Sequence, residues 1–314
     1  TGTLEARINQ DHKDIDRRGA TFTTAGVAIP NNFVAKAKWT NIAPAAALRY
    51  QVNPDVNIYA RLAQAYRPGG FNSDLGNPTL NLVAFDTAFD PEYVTTGEIG
   101  MKAELLDRRL RLEGAVYVTN TKDVLSNFTT NAGVGGRLVR FLDNAGEANQ
   151  KGAEIDATWL VPLGPSTQLL ITGGLSWQDG EYDAPGLAND GNSLARMPKW
   201  IGSLSGQLRH RLSDISRIHV RNAEGKMVPL RHRLSDELEL FANAAYRTRH
   251  GGFQGPLNEA NRPLYAFDLF DATLGLTYGA PTLSLRAENL FKEQYITERT
   301  DPAGVQTVFN TPRT

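Results

Sequence analysis

The chain has 314 residues, of which 41% are hydrophobic and 9% aromatic, so its composition is not that of a disordered protein. Its 33 basic and 34 acidic residues are spread along the sequence and sum to a net charge of −1, which argues against a nucleic-acid-binding surface. Mean hydropathy is −0.36 and no apolar run reaches about 18 residues, so transmembrane helices are excluded; the lack of cysteine excludes disulfides, thiol catalysis and thiolate metal sites.

Alternation of apolar and polar residues is the main local signal, as in the stretch from Asp55 to Tyr66. One face of this stretch would carry Val56, Ile58, Ala60, Leu62 and Tyr66, and the other Asn57, Tyr59, Arg61 and Ala63. The pattern predicts about eleven strands, near residues 3–12, 40–52, 55–67, 94–105, 109–121, 151–161, 167–178, 198–210, 236–247, 266–278 and 282–292.

Connections between these strands alternate in length. Short links near residues 53–55, 107–108, 163–166 and 279–281 are built of turn-forming residues, whereas long polar links lie near 16–39, 68–93, 122–150, 179–197 and 248–265. This arrangement predicts an all-β, antiparallel transmembrane β-barrel with short periplasmic turns and long extracellular loops. A soluble β-sandwich or solenoid would also alternate, but charges along the whole polar face, such as Glu98, Lys102 and Glu104, favour a barrel lumen.

Aromatic residues often stand near the ends of the apolar faces, where a membrane protein places its interfacial belts. The predicted interfacial aromatics are Tyr50, Tyr66, Trp159, Trp177, Trp200, Tyr246 and Tyr278.

Four stretches resemble the C-terminal half of the barrel of TonB-dependent outer-membrane receptors. They are "IYARLAQAYRPGGFN" (58–72), "PEYVTTGEIGMKAELLDRRLRLEGAVYVTNTKD" (91–123), "NAGEANQKGAEIDATW" (144–159) and "LSLRAENLFKEQYI" (283–296). The resemblance implies a 22-stranded barrel around an N-terminal plug, which imports a scarce ligand, most often a siderophore–iron complex, with energy from the TonB complex. The chain, residues 1–314, is then a partial barrel domain of the bacterial outer membrane.

The chain also departs from the family pattern. It starts at Thr1 in a predicted strand without a signal peptide, it contains no plug domain, and it stops where the family would add one more strand. We therefore expect a fragment of a larger protein that does not transport by itself, because an open half-barrel leaves two unpaired edges in lipid.

One heptad occurs twice in the chain. Leu-Arg-His-Arg-Leu-Ser-Asp runs from Leu208 to Asp214 and returns from Leu230 to Asp236. We interpret residues 215–236 as an insertion in a periplasmic turn, with a small hairpin of its own around residues 222–225. Residues 215–230 also resemble a short segment of resistance-nodulation-division efflux pumps, from which no efflux function follows.

Candidate sites are few. The five histidines are not spaced as metal ligands are, so neither a metal site nor a cofactor is predicted. No motif for a catalytic nucleophile, a phosphate-binding loop or a dinucleotide indicates an enzyme. Ligand contacts in this family come from the plug, the outer lumen wall and the extracellular loops, and the candidates at those places are Arg67, Phe71, Asn72, Arg140 and Phe253.

Three hypotheses remain from the sequence: the barrel of an energy-coupled receptor, a passive porin-like channel, and a soluble β-rich binding or surface protein. The first implies as partners the TonB complex through the missing plug, outer-membrane lipid and a small-molecule ligand, with no nucleic acid.

Overall fold

The computed structural model describes residues 1–18, 20–22, 26–30, 32–72, 88–131, 138–212, 219–221, 224–229, 238–258, 260, 263, 264 and 266–295. Eleven strands form one sheet. They are β1 (Gly2–Arg17), β4 (Phe33–Asn53), β5 (Val56–Arg67), β6 (Glu92–Leu105), β7 (Leu110–Lys122), β10 (Glu147–Gly164), β11 (Thr167–Asp183), β12 (Trp200–Arg211), β15 (Leu238–His250), β16 (Phe267–Tyr278) and β17 (Thr282–Ala287). Three separate hairpins are β2 (Ala20–Phe22) with β3 (Ala28–Pro30), β8 (Leu125–Asn131) with β9 (Leu138–Asn144), and β13 (His219–Arg221) with β14 (Met227–Pro229).

The sheet is an antiparallel meander in which each main strand pairs with the next one along the chain. All eleven predicted strands are present, and the predicted all-β class is confirmed. The two edge strands of the sheet are β1 and β17, and no pairing between them closes the sheet within the described residues. The described part of the chain also contains no helix that is long and apolar enough to cross a membrane.

Five predicted strand ends were wrong by four residues or more, including the start of β10, which is Glu147, and the end of β11, which is Asp183. β1 ends at Arg17 instead of residue 12, and β4 begins at Phe33 instead of residue 40, because the two backbones pair along the whole hairpin. β17 instead stops at Ala287, where a turn begins. Asn289 has a φ of 50°, and its side-chain oxygen accepts a hydrogen bond of 2.8 Å from the Glu293 amide, so the ladder cannot continue through this turn.

Turns and loops separate to opposite ends of the sheet, as predicted. At the short-turn end, residues 106–108 all have positive φ, a tight conformation that reverses the chain between β6 and β7. At the other end lie the long connections, residues 18–32, 68–91, 123–146, 184–199 and 251–266. By the rule for outer-membrane barrels, the first end is periplasmic and the second extracellular.

The two faces of the sheet differ in chemistry, and neither is covered. Large apolar side chains stand exposed on one face, among them Leu4 (87%), Ile99 (63%) and Leu204 (54%). The accessible area is 20442 Å². A compact protein of this mass would expose on the order of 13,000 Å². The apolar face is therefore an outer surface that needs lipid as its solvent, and we call it the outer face.

The seven predicted interfacial aromatics share the alternation of the outer face, and six of them form two rows there. Tyr50, Trp159 and Tyr278 lie towards the short turns, and Trp177, Trp200 and Tyr246 lie towards the loops, in what we call the upper row. Tyr66 differs, because its hydroxyl is buried close to Asp11, whose side chain lies on the other face of β1. Rings pair across strands in the second row, with Trp177 and Trp200 centroids 6.5 Å apart. This placement is the one that two membrane interfaces require, although their contact with lipid stays a prediction.

The upper row runs diagonally across the hydrogen-bond register. From Trp177 the register passes through Trp200 to His250. Tyr246, however, lies four positions before His250 on β15. A level row of aromatics crosses registers in this way only if the strands are tilted relative to the membrane normal, as closure of a barrel demands.

The inserted segment leaves the main sheet undisturbed at its base. The Leu212 amide donates a hydrogen bond of 3.0 Å to the Leu238 carbonyl, so β12 and β15 already meet as in a tight hairpin. β13 and β14 form the predicted small hairpin, paired from His219 with Pro229 to Arg221 with Met227. Residues 213–218, 222, 223 and 230–237, which include the second heptad, lie outside the described residues.

Deletion of residues 215–236 should leave the receptor barrel intact. Ser213, Asp214 and Glu237 would then join Leu212 to Leu238 as a three-residue hairpin loop, a common length for antiparallel strands. We expect unchanged heat-modifiable migration of the complete receptor on SDS gels. Deletion of the 13 residues of β15 is the control that should abolish folding. Loss of folded receptor in the first variant would show that the segment is an integral part of the barrel.

Candidate functional site

The face opposite the outer face forms a polar wall, which we call the lumen wall. Cross-strand pairing assigns side chains to it: Glu98 is paired with Tyr117, Asp156 with Glu113, and Arg247 with Ser203. Small and polar side chains fill most other positions. This wall is continuous with the extracellular loops.

Charge is sorted along the lumen wall into three sectors of neighbouring strands. Acidic residues dominate the middle sector, β6 to β10, which carries Glu92, Glu98, Glu104, Glu113, Glu154 and Asp156 against Lys102 and Arg111. Basic residues dominate the sectors on either side. Arg7, Lys13, Arg17, Arg49, Arg61 and Arg67 lie on β1 to β5 against Glu5 and Asp11, and Arg209, Arg211, Arg247, Arg249 and Arg286 lie on β12 to β17 against Glu239 and Asp271.

Most charges of the wall have partners nearby. Tyr59 donates a hydrogen bond of 2.6 Å to Glu98, and Lys102 pairs with Glu113 at 2.6 Å. In the basic sector of β12 to β17, Arg247 pairs with Asp271 at 2.8 Å, and the Arg249 guanidinium lies 4.8 Å from the centre of the Phe267 ring. Such a satisfied polar surface is stable in contact with water but would be costly in contact with lipid.

Three aromatic rings on the lumen wall lie flat over glycines of the neighbouring strand. Tyr59 is paired with Gly100, Tyr117 with Gly152, and Phe241 with Gly275. A Cβ atom added at any of these glycines would overlap the ring. Each glycine therefore lets an aromatic ring lie along the wall instead of projecting into the lumen.

The Tyr117 ring belongs to a neutral hydrogen-bond network. Gln150 donates to the Tyr117 hydroxyl at 3.4 Å and to the Gln178 side-chain oxygen at 3.2 Å. Gln178 in turn donates to the Pro198 carbonyl at 2.9 Å. The network links three strands of the wall to the loop that precedes β12.

At the extracellular end, the β5 strand leaves its neighbour and crosses towards the lumen. The ladder between β4 and β5 ends at the pair Ala45 and Ala63, beside Pro44, which has no amide hydrogen to donate. Beyond it, Lys13 donates a hydrogen bond of 2.6 Å to the Gly69 carbonyl. The Trp39 ring lies where a side chain at Gly69 would have to be. The glycines of "YRPGGFN" thus allow the backbone to lie against this tryptophan.

Phe71 and Asn72 occupy defined structural positions there. The Phe71 ring packs 6.0 Å from Phe33 and 6.4 Å from Trp39. The Asn72 side chain exchanges two hydrogen bonds with the Leu142 backbone, at 2.9 and 2.7 Å, and so ties the loop 68–91 to the loop 123–146. Sequence reasoning missed Trp39 and Phe33, because their alternation with alanines in β4 gave no sign of the crossing segment.

The other candidate residues are more dispersed. Arg67 ends β5, is exposed, and makes no hydrogen bond or ion pair with any described residue. Arg140 lies in β9 opposite Thr129, and its side chain is outside the described residues. Phe253 fixes two loops through its backbone, since its carbonyl accepts a hydrogen bond of 2.7 Å from the Arg196 amide. The candidates therefore do not converge on one pocket, and their contact with a ligand stays a prediction.

Metal-binding clusters of three or more His, Asp or Glu side chains are absent from the part of the chain that the structure describes. A small apolar core at the extracellular end, formed by Ala148, Tyr182 and Ala184 with Val124 and Leu194, holds the loops on the sheet.

A family model and the curated relatives both match this chain to outer-membrane receptors. The family model for the TonB dependent receptor-like β-barrel matches residues 2–290. The metal-pseudopaline receptor CntO of Pseudomonas aeruginosa is 28% identical over 163 residues, which are 52% of this chain and 20% of that protein. The catecholate siderophore receptor Fiu of Escherichia coli is 37% identical over 111 residues, 34% of this chain and 14% of that protein.

Solved structures agree in fold. The ferric yersiniabactin uptake receptor FyuA of Yersinia pestis superposes with a TM-score of 0.67 at 19% identity, over 96% of this chain and 40% of that one. The copper transporter OprC gives a TM-score of 0.65 at 16% identity, over 99% of this chain and 44% of that one. The chain thus spans less than half of these structures and a fifth or less of the two curated relatives.

An eleven-stranded meander with an apolar outer face, a charged lumen wall and loops at one end agrees with the family model over residues 2–290. The chain therefore belongs to the TonB-dependent receptor-like β-barrel family, whose members are transport receptors of the outer membrane and not enzymes.

Proposed function

We propose that this chain forms part of the barrel wall of a TonB-dependent receptor that takes up a siderophore–iron complex across the outer membrane. The observation that carries the proposal is the polar, charge-sorted lumen wall that continues into the extracellular loops, opposite a face that suits only lipid. The names of CntO, Fiu and FyuA, each a receptor for a siderophore or a metal chelate, support the ligand class.

The complete receptor would work with partners that bind outside this chain. Energy coupling to TonB is expected through a plug domain, and the fragment alone is not expected to transport. The passive porin-like channel is the competing function, and it differs in one measurable property: its transport does not depend on TonB.

Uptake of radiolabelled iron bound to a panel of siderophores tests the proposal. Cells that lack the receptor gene should lose uptake of one siderophore class, and the complete gene should restore it only in a strain with functional TonB. Restored uptake without TonB would instead establish a passive channel. Failure to restore uptake of any siderophore, with folded receptor in the membrane, would contradict the proposed ligand class.

Arg67 is the candidate best placed to contact an anionic ligand, because its guanidinium is exposed near the loops and unengaged by the described residues. Arg67→Ala should weaken binding of the transported complex to the purified receptor by about tenfold, the loss expected for a charged hydrogen bond. Arg49→Ala, on the same wall at the periplasmic end, is the matched control and should leave affinity unchanged. Equal affinities of the Arg67→Ala receptor and the wild type would remove Arg67 from the site.

A further inference from the structure

One band of the lumen wall has a lower relief than the sectors beside it. It runs over the middle and extracellular parts of β5, β6, β7 and β10, where the lumen-facing side chains are small or lie against the sheet. We call it the smooth band and define it by six residues: Tyr59, Thr96, Gly100, Tyr117, Thr119 and Gly152.

The Tyr117 side chain crosses the whole of β10. Its hydroxyl lies 3.5 Å from the side-chain oxygen of Gln178 on β11, two strands and therefore about 10 Å away from β7. Gly152 lies beneath the ring and is buried, although it faces the lumen of a wall that is one sheet thick. Ala115, on the same face of β7, is only 8% exposed. The ring thus covers the wall and leaves the lumen in front of it open.

The same arrangement occurs on both sides of Tyr117. Tyr59 lies over Gly100, and its hydroxyl donates a hydrogen bond of 2.6 Å to Glu98 of the same neighbouring strand. On the other side, the Asp156 carboxylate of β10 lies where a side chain at Gly174 of β11 would have to be. Glycines on β6, β10 and β11 therefore each let a side chain of the preceding strand lie flat.

The two basic sectors beside the band have a higher relief. Arg209, Arg211 and Arg247 are 54%, 72% and 56% exposed, so their long side chains extend from β12 and β15 into the lumen. Arg49 and Arg61 are likewise exposed on β4 and β5. A bulky solute that moves close to the wall would meet the least obstruction at the smooth band.

The polar groups of the band suit a solute that passes without being held. The Thr96 and Thr119 hydroxyl oxygens lie 2.9 Å apart, and Gln150 donates hydrogen bonds to Tyr117 and Gln178. Such neutral groups exchange one partner for another at a small net cost. A transport path needs contacts of this kind, because a solute must be able to leave each of them again.

We propose that the transported complex passes through the lumen along the smooth band, and that Gly152 sets the width of this path by letting the Tyr117 ring lie flat. The proposal rests on the uptake function proposed above and adds to it the side of the lumen and the residues that limit passage. Gly152 is a positioning residue that acts through Tyr117, because any side chain at this position would raise the ring into the path.

Uptake by cells that carry the complete receptor tests this path. Gly152→Val should lower the maximal uptake rate per folded receptor by about tenfold, because each passage would have to displace the raised ring, at a cost like that of overfilling a packed position. Gly152→Ala, whose Cβ already overlaps the ring, should lower the rate less. Equilibrium binding of the complex to de-energised cells should not change in either variant, since the extracellular loops are untouched. Addition of Tyr117→Ala to Gly152→Val should recover most of the lost rate.

Gly275→Val is the matched control, because its Cβ would overlap the Phe241 ring in the same way, but between β15 and β16 in a basic sector. It should keep the wild-type rate, and heat-modifiable migration measures the folded receptor of every variant. A wild-type rate in the Gly152 variants would overturn the proposal. So would an equal loss in Gly275→Val, or no recovery on addition of Tyr117→Ala.

The proposed ligand class is tested separately in the same cells. If the wild type takes up another metal chelate and no siderophore complex, the siderophore proposal fails. The same variants compared with that chelate then still decide whether its path follows the smooth band.

Discussion

Replacement of Leu204 by arginine should lower the free energy of unfolding of the complete receptor by about 1–3 kcal/mol, because an arginine on the lipid face costs about 2–4 kcal/mol at the bilayer midplane and less towards the interface. Leu204 is 54% exposed on the outer face of β12, four positions from Trp200 and paired with Tyr246, both of the upper aromatic row. The arginine side chain would have to extend from the apolar face towards this row to reach polar surroundings.

Ser205→Arg is the matched control, because Ser205 follows Leu204 on the same strand and faces the lumen wall, paired with Ala245 and Thr172. The same side chain should cost little there, since the wall already carries arginines in contact with water. Urea unfolding of the receptor in lipid vesicles measures both changes. A similar loss in the two variants would show that the two faces do not differ as described, and that the apolar face is not in lipid.

Replacement of Gly152 by valine should destabilise the complete receptor by about 1–3 kcal/mol, the usual cost of overfilling a packed position. The new Cβ would overlap the Tyr117 ring, which would have to rotate into the lumen and leave its contacts with Gln150 and Gln178. Gly114→Val is the matched control: it lies on the outer face of β7, and its nearest atom, the Glu154 carbonyl oxygen, is 3.5 Å from the added Cβ.

A double-mutant cycle separates this clash from the general effect of valine on the strand. In a Tyr117→Ala background, Gly152→Val should cost at least about 1 kcal/mol less than in the wild type, because the ring that it displaces is gone. Vesicle-based urea unfolding of the four proteins gives the coupling energy. Additive effects would mean that the ring does not lie over Gly152 in the membrane.

The strands, their number and the ends at which turns and loops lie could be predicted, because each depends on neighbours within about ten residues. Val56, Ile58 and Leu62 alternate with Asn57, Tyr59 and Arg61, and this period of two already separates the lipid face from the lumen face. The short links of turn-forming residues also predicted that consecutive strands pair with each other. This next-neighbour pairing is the simplest way to join such strands.

Register could not be predicted in the same way, and the details of the site depend on it. Nothing near Gly152 in the sequence shows that Tyr117, thirty-five positions earlier, lies across it. The same holds for the crossing of Gly69 over Trp39 and for the bonds between Asn72 and Leu142, which join loops seventy residues apart.

Local alternation and turn chemistry by themselves determined that this chain is a two-faced antiparallel sheet for a membrane, and the quoted motifs indicated its family. Only the tertiary structure decided which side chains share a row, and with it the sorting of charge on the lumen wall and the aromatic rings over glycines. The physical reason is that strand pairing fixes distances between residues remote in sequence, and a shift of one position would move every side chain to the opposite face.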